Sequence, residues 1–425
     1  MEKETTITIA NWAGVNSGDD AIFLALLDLI RNEVSKNVRI FVLADNDKLV
    51  RTKYNIEDAV RIFEFYRFYN LRKVIKFLRK SEIVIYGGGD LISGDIRSMS
   101  FIGLAKILGL PVICCGVGVI PIKSRFARLY TRIILNHVDL ITLRDEESKR
   151  CLEKMGVTKP PIYVTADLAF LLAPNFNQNR LIQTVGNEIE DANIKIGINI
   201  RPYEPMYSFY SIWAEDNFLR IIAKVCDQMI DRYNAKIVFL PMVVKERTKY
   251  YHKDLRDDND ISQKVINIIE KRSEVLIIEG DYTPKEFEGL LSNFDLIVAM
   301  RLHALLLASI MGVPVIALEY APKIKSFMNL INQSDYCIPI TEINEDKLVN
   351  AILDRVRSKN KENLTKIQFL TEKAKENGKM VKRFLENNKR KYWKFYIFFP
   401  AVILVSLMNY VFSMIQMIRR FTKKM

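Results

Sequence analysis

The chain has 425 residues, of which 49% are hydrophobic and 27% charged, with 17 glycines and 13 prolines. This composition excludes a disordered or collagen-like chain, and the length suffices for two domains that each bury a core. Five cysteines without a Cys-x-x-Cys pair argue against a disulfide scaffold and against structural zinc. The cysteine usage fits a reducing compartment, and no metal site is predicted.

The net charge of +13 is concentrated in the C-terminal tail. Residues 379–425 carry eleven Lys and Arg against one acidic residue, Glu386, so residues 1–378 account for only +3. A protein that binds nucleic acid through its folded part would spread this charge along the chain. Nucleic acid is therefore not predicted as a partner.

Within that tail, residues 395–418 form a stretch of 24 residues without a charge, and basic residues flank it on both sides. Its length suffices for a helix that crosses a bilayer. A spanning helix, a helix in the membrane interface and a buried helix of the globular part all fit the pattern, and a membrane anchor is favoured. The charged N-terminus lacks the apolar region of a signal peptide, so the expected location is the cytoplasmic face of the membrane, with the chain anchored C-terminally.

The first 170 residues alternate apolar runs with amphipathic helical patterns. The predicted strands are Thr5–Ala10, Val38–Ala44, Ile83–Tyr86, Val112–Cys115, Leu140–Thr142 and Ile162–Val164. Helices are predicted between them, for example over Ala21–Glu33 and Phe126–Leu135. Strands that alternate with helices indicate βαβ units and a parallel sheet.

A polar passage from Asn175 to Asn193 interrupts this alternation and is interpreted as a linker. The alternation resumes with predicted strands at Ile194–Ile200, Lys236–Leu240, Val275–Ile278, Leu296–Ala299 and Val315–Leu318, and a last strand signal follows at Cys337–Ile340. The predicted fold class is therefore α/β, with two Rossmann-like doubly wound domains over residues 1–175 and 176–345. A basic helical extension over residues 346–394 and a hydrophobic membrane-associated tail over residues 395–425 complete the prediction.

Three glycine-containing loops follow predicted strands, where the ligands of open α/β sheets bind. The candidate binding residues in these loops are Gly14, Asn16, Gly18 and Asp19 in the first, Gly87, Gly88, Gly89 and Asp90 in the second, and Gly116 and Gly118 in the third. None of the loops continues as a Walker A motif or a dinucleotide fingerprint. An ordinary strand-to-helix turn remains the alternative for any single glycine.

Arginine and histidine also follow predicted strands. Arg144 comes directly after the run Leu140–Leu143 and suits a carboxylate or phosphate ligand, although a solvated or ion-paired arginine remains open. Arg301 and His303 begin an apolar helix after Leu296–Ala299, which places a guanidinium and an imidazole at a helix N-terminus that favours anions. His303 is the functional candidate among the three histidines.

The order of these motifs resembles the polysaccharide pyruvyl transferase family over about residues 5 to 330. The motifs that carry the resemblance are Asn16–Ala21, Gly87–Asp90, Gly116–Pro121, Arg144–Ser148, Ala166-Asp167, Arg301–Ala304, Gly312–Pro314 and Tyr320–Lys323.

The resemblance implies a GT-B-like arrangement of the two domains and transfer of a pyruvyl group from phosphoenolpyruvate onto two sugar hydroxyls as a ketal. It implies that Arg144, Arg301 and His303 hold phosphoenolpyruvate and assist the chemistry, and that Lys323 and the glycine loops bind substrate. No cofactor is expected. The implied acceptor is a polysaccharide or lipid-linked saccharide of the cell envelope, and a homo-oligomer is considered.

Two other functions stay open at this point. A glycosyltransferase that uses a nucleotide sugar would share the architecture, and Glu319 after Leu318 could hold its ribose. A non-catalytic membrane-bound scaffold is the other. Nothing in packing requires Arg144, Arg301 and His303, so their presence argues against the scaffold.

Overall fold

Two parallel β-sheets organise the protein. The computed structural model describes residues 4–44, 46–61, 68–172, 180–202, 212–248, 257–358 and 364–387. The first sheet comprises β1 (Thr5–Ala10), β2 (Val38–Ala44), β3 (Ala59–Arg61), β4 (Ile83–Gly87), β5 (Val112–Val117), β6 (Leu140–Leu143) and β7 (Ile162–Val164). The second comprises β8 (Ile194–Asn199), β9 (Ala235–Phe239), β10 (Val275–Ile277), β11 (Leu296–Ala299), β12 (Val315–Glu319) and β13 (Cys337–Pro339).

The helices connect these strands. In the first half they are α1 (Ser17–Leu29), α2 (Asp47–Tyr54), α3 (Phe68–Lys80), α4 (Ile96–Ile107), α5 (Arg125–Leu135), α6 (Glu146–Met155) and α7 (Arg180–Glu188). In the second half they are α8 (Ile212–Tyr233), α9 (Lys245–Thr248), α10 (Asp258–Ile268), α11 (Pro284–Leu291), α12 (Leu302–Ile310), α13 (Pro322–Leu330), α14 (Glu345–Arg357) and α15 (Leu364–Asn387).

The strand order of the six-stranded second sheet repeats that of the first six strands of the seven-stranded first sheet. It is β3-β2-β1-β4-β5-β6-β7 in the first and β10-β9-β8-β11-β12-β13 in the second. All neighbouring strands pair in parallel, for example β1 with β4 and β8 with β11. The order changes direction between β1 and β4 and again between β8 and β11, and such a switch point leaves a crevice for ligands at the carboxyl ends of the strands. The prediction of two doubly wound α/β domains is confirmed.

Central strands such as β4 and β11 contain no charged or amide side chain, as expected for strands that helices cover on both faces of a sheet. Every residue of β4 and of β6 is buried. Local signals set the helix starts: the Asp145 carboxylate accepts the Ser148 N–H at the start of α6, and Thr283 and Glu286 form a capping box at the start of α11.

Two elements differ from the sequence prediction. Strand β3 was not predicted, because three residues at a sheet edge leave no apolar run to recognise. The passage interpreted as a linker contains α7, an amphipathic helix from which Val185 points into the core; the buried Ile189 follows it directly. Its few apolar positions at helical spacing are easily lost among the polar residues around them.

The chain divides into two units whose limits do not follow the sequence halves. Of the described residues, the first unit contains those up to Gly14, Ile22–Leu168 and Glu372–Asn387. The second contains Val15–Ala21 and Ala169–Thr371. The end of the loop after β1 and the first turn of α1, Val15–Ala21, thus group with the second sheet, and the later part of α15 groups with the first.

The predicted membrane segment, residues 395–418, lies outside the described residues, as does the rest of the chain beyond residue 387. Within the described ranges, no helix is both long enough and apolar enough to cross a membrane.

Candidate active site

In the second unit, three predicted residues and two that were not predicted lie after the carboxyl ends of adjacent strands. The predicted ones are Arg301, His303 and Lys323, and the others are Arg201 and Tyr320. Arg201 follows β8, Arg301 and His303 follow β11, and Tyr320 and Lys323 follow β12. Strands β8 and β11 flank the switch point of the second sheet, so Arg201 and Arg301 stand on its two sides. We call these five residues the cation site.

Arg301 is held in one orientation by a buried carboxylate. Its Nε and Nη2 donate to the two oxygens of Asp258 at 2.6 and 2.5 Å, and Asp258 is wholly buried. The same carboxylate accepts the backbone N–H groups of Met242 and Val243, both at 3.0 Å. A bidentate pair fixes the plane of the guanidinium. Arg301 therefore presents its remaining N–H groups in a fixed direction.

The pKa of Tyr320 shows that the electrostatic potential of the cation site is positive. Nη1 of Arg201 donates to its hydroxyl at 2.9 Å, and the guanidinium carbon lies 4.8 Å from the ring centroid. Burial by itself raises the pKa of the Tyr320 hydroxyl, but neighbouring positive charges bring it below its ordinary value. These charges belong to Lys323, Arg201 and Arg301, in that order of effect. Such a potential favours a ligand that carries several negative charges.

His303 is the second residue of α12 and is 8% exposed. Its imidazole lies directly against Gly18, so that a Cβ added at residue 18 would be 2.3 Å from Nδ1. Gly18 is placed by Asn16, whose Oδ1 accepts the Gly18 N–H at 2.9 Å. The predicted first loop and the predicted histidine therefore form one structure, in which glycine leaves space for the imidazole.

An ion-pair network holds that loop. Asp20 is wholly buried and accepts from Nη1 of Arg247 at 2.6 Å. Arg247, itself 1% exposed, also pairs with Asp281 at 2.6 Å and donates to the carbonyl of Tyr282 at 2.8 Å. The Ser17 N–H donates to the carbonyl of Met242 at 3.0 Å. These bonds fix the start of α1 beside α12.

In the first unit, Arg144 lies among three carboxylates, and we call these four residues the carboxylate cluster. Its guanidinium pairs with Asp90, with Asp145 at 3.3 Å and with Asp167 at 3.5 Å. Burial by itself lowers the pKa of Arg144. The three neighbouring carboxylates have the opposite and larger effect, so the pKa of Arg144 is raised above its ordinary value. The cluster thus has more negative than positive groups.

The glycines of the first unit fit tightly against other parts of the protein. A Cβ at residue 118 would be 2.7 Å from the guanidinium carbon of Arg144 and 2.8 Å from Oδ1 of Asp90, so Gly118 makes room for this ion pair. Gly87 and Gly88 lie against side chains of α1, and Gly116 against Leu168. Gly14 lies against Asn46, while Gly89 accepts the Gly118 N–H at 2.7 Å.

The structure thus groups the predicted residues into two sets. Asn16, Gly18 and Asp19 belong to the second unit with Arg301, His303 and Lys323, whereas Gly14, Gly87, Gly88, Gly89, Asp90, Gly116, Gly118 and Arg144 belong to the first. Among the described residues, no group of three or more His, Cys, Asp or Glu could hold a metal ion.

Sequence reasoning missed several residues of these sites. Arg201 follows a strand just as Arg144 does, so the rule that selected Arg144 could have found it. Tyr320 lies in a motif of the resemblance from which only Lys323 was selected. Asp258 carried no sequence signal, because its pairing with Arg301 joins residues 43 positions apart.

The polysaccharide pyruvyl transferase family matches this chain over residues 16–322. That range is more than half of the chain. The chain belongs to the polysaccharide pyruvyl transferase family. The matched range includes Arg144, Arg201, Arg301, His303 and Tyr320, while Lys323 follows directly after it.

One curated relative is the amylovoran biosynthesis protein AmsJ of Erwinia amylovora. It is 23% identical over 293 residues, which are 65% of this chain and 66% of that protein. The chain thus matches just under two thirds of the length of this relative.

Solved structures with the same fold include two epimerases and a third protein. The UDP-GlcNAc 2-epimerase of Methanocaldococcus jannaschii has a TM-score of 0.59 at 16% identity, covering 91% of this chain and 100% of its own. A putative UDP-N-acetylglucosamine 2-epimerase of Listeria monocytogenes has a TM-score of 0.58 at 14% identity, covering 92% and 98%. Anabaena Alr3699/HepE in complex with UDP and glucose has a TM-score of 0.56 at 13% identity, covering 91% and 100%. At these identities the likeness concerns the fold alone.

Proposed function

We propose that this pyruvyl transferase family member transfers the pyruvyl group of phosphoenolpyruvate onto two hydroxyls of a saccharide as a ketal. The observation that carries the proposal is the cation site at the switch point of the second sheet. Phosphoenolpyruvate carries a carboxylate and a phosphate on one small molecule. Arg201, Arg301 and Lys323 offer donors for both groups, and guanidinium groups bind such anions with two parallel hydrogen bonds.

His303 is the proposed acid and base. In the first step the methylene carbon of the enol phosphate takes a proton from His303, which creates the methyl group, and a sugar hydroxyl adds to C2 and returns its proton to His303. In the second step the other hydroxyl replaces the phosphate on C2, and inorganic phosphate leaves with the electron pair of the broken C–O bond and takes up the proton of that hydroxyl. Histidine exchanges protons near neutral pH, which suits both proton transfers.

The carboxylate cluster suggests a role for Arg144 that differs from an anion clamp. Three carboxylates surround one guanidinium there, so a second anion would meet net negative charge. Carboxylates accept hydrogen bonds from hydroxyl groups, and we assign the cluster to the saccharide acceptor, with Arg144 holding Asp90, Asp145 and Asp167 in place.

The experiment that tests the donor is thermal unfolding of the full chain with phosphoenolpyruvate, compared with UDP-sugars and UDP. A ligand that binds only the folded state raises the unfolding temperature. We expect a rise with phosphoenolpyruvate that is lost in Arg201→Gln and reduced in Lys323→Gln. Lys325→Gln is the matched control, because Lys325 is an exposed lysine on the same helix, and it should respond as the wild type does.

The reaction itself is tested by phosphate release from phosphoenolpyruvate, with a lipid extract of the source cells as acceptor. His303→Ala should retain the thermal response and lose phosphate release. A response to UDP or UDP-sugars without one to phosphoenolpyruvate would replace the proposal with a glycosyltransferase.

We also propose that the protein works at the cytoplasmic face of the membrane, anchored by residues 395–418, on a lipid-linked saccharide or polysaccharide of the cell envelope. An anchored enzyme meets a membrane-bound acceptor at a raised effective concentration. Truncation before residue 392 should release the protein from membranes and leave the response to phosphoenolpyruvate unchanged. We also propose that the protein forms a homo-oligomer, which sedimentation analysis of the full chain would test.

A further inference from the structure

An exposed face of α5 in the first unit combines apolar and basic side chains. Phe126 is 53% exposed and Leu129 is 47% exposed, although large apolar residues are usually covered. The opposite face of α5 packs into the core through Ala127, Tyr130 and Ile134. Core packing therefore does not account for Phe126 and Leu129.

The basic residues of this segment lie on the same exposed face. On a helix, Arg125, Arg128 and Arg132 fall in one row, beside the row formed by Phe126 and Leu129. Lys123 precedes the helix and is exposed as well. We call these exposed residues the α5 patch, which consists of Lys123, Arg125, Phe126, Arg128, Leu129 and Arg132.

No acidic residue occurs between Pro121 and Val138. Among the residues that the structure describes, none of the four basic side chains of the α5 patch pairs with a carboxylate. Arg128 instead donates to the carbonyl of Ile122, at 2.9 and 3.3 Å, which fixes its side chain along the start of the helix. The positive charge of the α5 patch is thus available to an outside partner.

We propose that the α5 patch docks the protein onto an anionic membrane surface. Helices that lie in a membrane interface place aromatic and aliphatic side chains below the headgroups, while Lys and Arg reach the lipid phosphates. Phe126 and Leu129 supply the apolar part, and the rows of basic residues complement the anionic lipid. The aromatic ring of Phe126 stacks on the buried Tyr130, with the centroids 6.3 Å apart, so it is held rather than free to fold back.

This inference shares with the proposed function only the membrane location, because it concerns a second contact that is independent of residues 395–418 and of pyruvyl transfer. Two contacts hold a protein on a bilayer more firmly than one, and they also restrict its orientation. The α5 patch would keep one face of the first unit against the lipid.

The experiment places a tryptophan at position 126, which the proposal puts below the lipid headgroups. Phe126→Trp in the full chain is mixed with vesicles of phosphatidylcholine and phosphatidylglycerol, with or without brominated acyl chains that quench indole fluorescence. We expect additional quenching by brominated lipid relative to the wild type, whose own tryptophans include Trp393 near the tail. Phe369→Trp is the matched control: Phe369 is 51% exposed, lies on α15 among acidic and basic residues, and should show no additional quenching.

A second variant tests the charges. Arg125→Gln with Arg132→Gln should weaken binding to the anionic vesicles by about 30-fold, because each basic residue near such a surface strengthens binding by a factor of about five. Binding to pure phosphatidylcholine should not change.

The possible results separate the two membrane contacts. Vesicle binding without additional quenching in Phe126→Trp would overturn the role of the α5 patch and leave the tail anchor standing. The introduced tryptophan could instead show blue-shifted emission without vesicles and no quenching by brominated lipid. That result would mean that other parts of the protein cover the α5 patch, and it would overturn the proposal too. Neither result bears on phosphate release, which tests the proposed reaction separately.

Discussion

Replacement of Gly18 by alanine tests whether the first loop positions His303. The added Cβ would lie 2.3 Å from Nδ1, 2.7 Å from Cγ and 2.9 Å from Cβ of His303, whereas ordinary contacts begin at 3.4 Å. The clash involves the base of the histidine side chain, which rotation of the ring alone cannot move away. The imidazole or the loop must therefore shift by about 1 Å, and a shift of this size can lower turnover by about 10²-fold.

The stability cost should be modest by comparison. Overpacking by one methyl group costs about 1–3 kcal/mol, and the backbone at Gly18 is not left-handed, so no backbone strain adds to it. The assay is acceptor-dependent phosphate release from phosphoenolpyruvate, measured with the free energy of unfolding in urea. We expect kcat to fall by about 10²-fold while the protein stays folded.

Gly186→Ala is the control for this substitution. Gly186 lies in α7, and the nearest atom to its added Cβ would be Nδ2 of Asn293 at 3.6 Å, an ordinary contact. We expect unchanged turnover and a gain of up to about 1 kcal/mol, since alanine favours the helix. Wild-type turnover in Gly18→Ala, with a normal control, would refute the argument that Gly18 positions the imidazole.

Three further changes test the structure around the two sites. Burial raises the pKa of Glu288 to about 8, from an ordinary value of 4.5, and its carboxylate has no hydrogen-bond partner among the described residues. The folded state therefore holds a proton that the unfolded state releases, so the stability from this group is complete below pH 4.5 and lost as the pH rises through 8. The free energy of unfolding of Glu288→Gln in urea should match that of the wild type at pH 5 and exceed it at pH 8.5. The same difference in free energy at both pH values would contradict this. Arg247→Met leaves Asp20 buried without its cation and should cost about 3–5 kcal/mol in urea unfolding, with Asp20→Asn in the same chain restoring part of the loss; no recovery would show that the pair does not act as a unit. Asn377→Leu should cost about 1–3 kcal/mol because several buried hydrogen bonds lose their acceptor; an unchanged denaturation midpoint would disprove it.

The prediction for Asn377 depends on its buried hydrogen bonds in the first unit. Its Oδ1 accepts from Thr142 and, at 3.0 Å, from Thr165, and it is wholly buried. Thr142 in turn accepts the Gly116 N–H at 2.8 Å. One residue of α15 thus connects the ends of β5, β6 and β7, which lead to Gly116, Arg144 and Asp167.

The sequence determined the strands other than β3, and it determined the places where function could reside. Buried parallel strands are apolar without interruption, so runs such as Leu296–Ala299 are visible without knowledge of any partner. The rule that ligands bind after the carboxyl ends of strands then selected Arg144, Arg301 and His303. Both signals are local, since each depends on residues within about ten positions.

Pairing decided what those residues can do, and pairing joins distant positions. Arg144 was an anion clamp or an ion-paired arginine on the sequence alone, and the fold brings Asp90 and Asp167 to it from 54 and 23 positions away. The local sequence pattern does not predict such neighbours, because the order of strands in the sheet, and not their order along the chain, determines which residues meet. Only the tertiary structure could show the carboxylate cluster.

The loop after β1 shows the same limit most clearly. By sequence it belongs to the first Rossmann-like domain, and its glycines suggest an approach to a ligand. In the structure Val15–Ala21, the end of the loop and the first turn of α1, belong to the second unit. There Asp20 pairs with Arg247 across 227 positions and Gly18 contacts His303. The sequence supplied the glycine and the histidine as separate candidates. Their contact exists only because tertiary packing places the start of α1 beside α12, where an imidazole fits solely against a residue without a side chain.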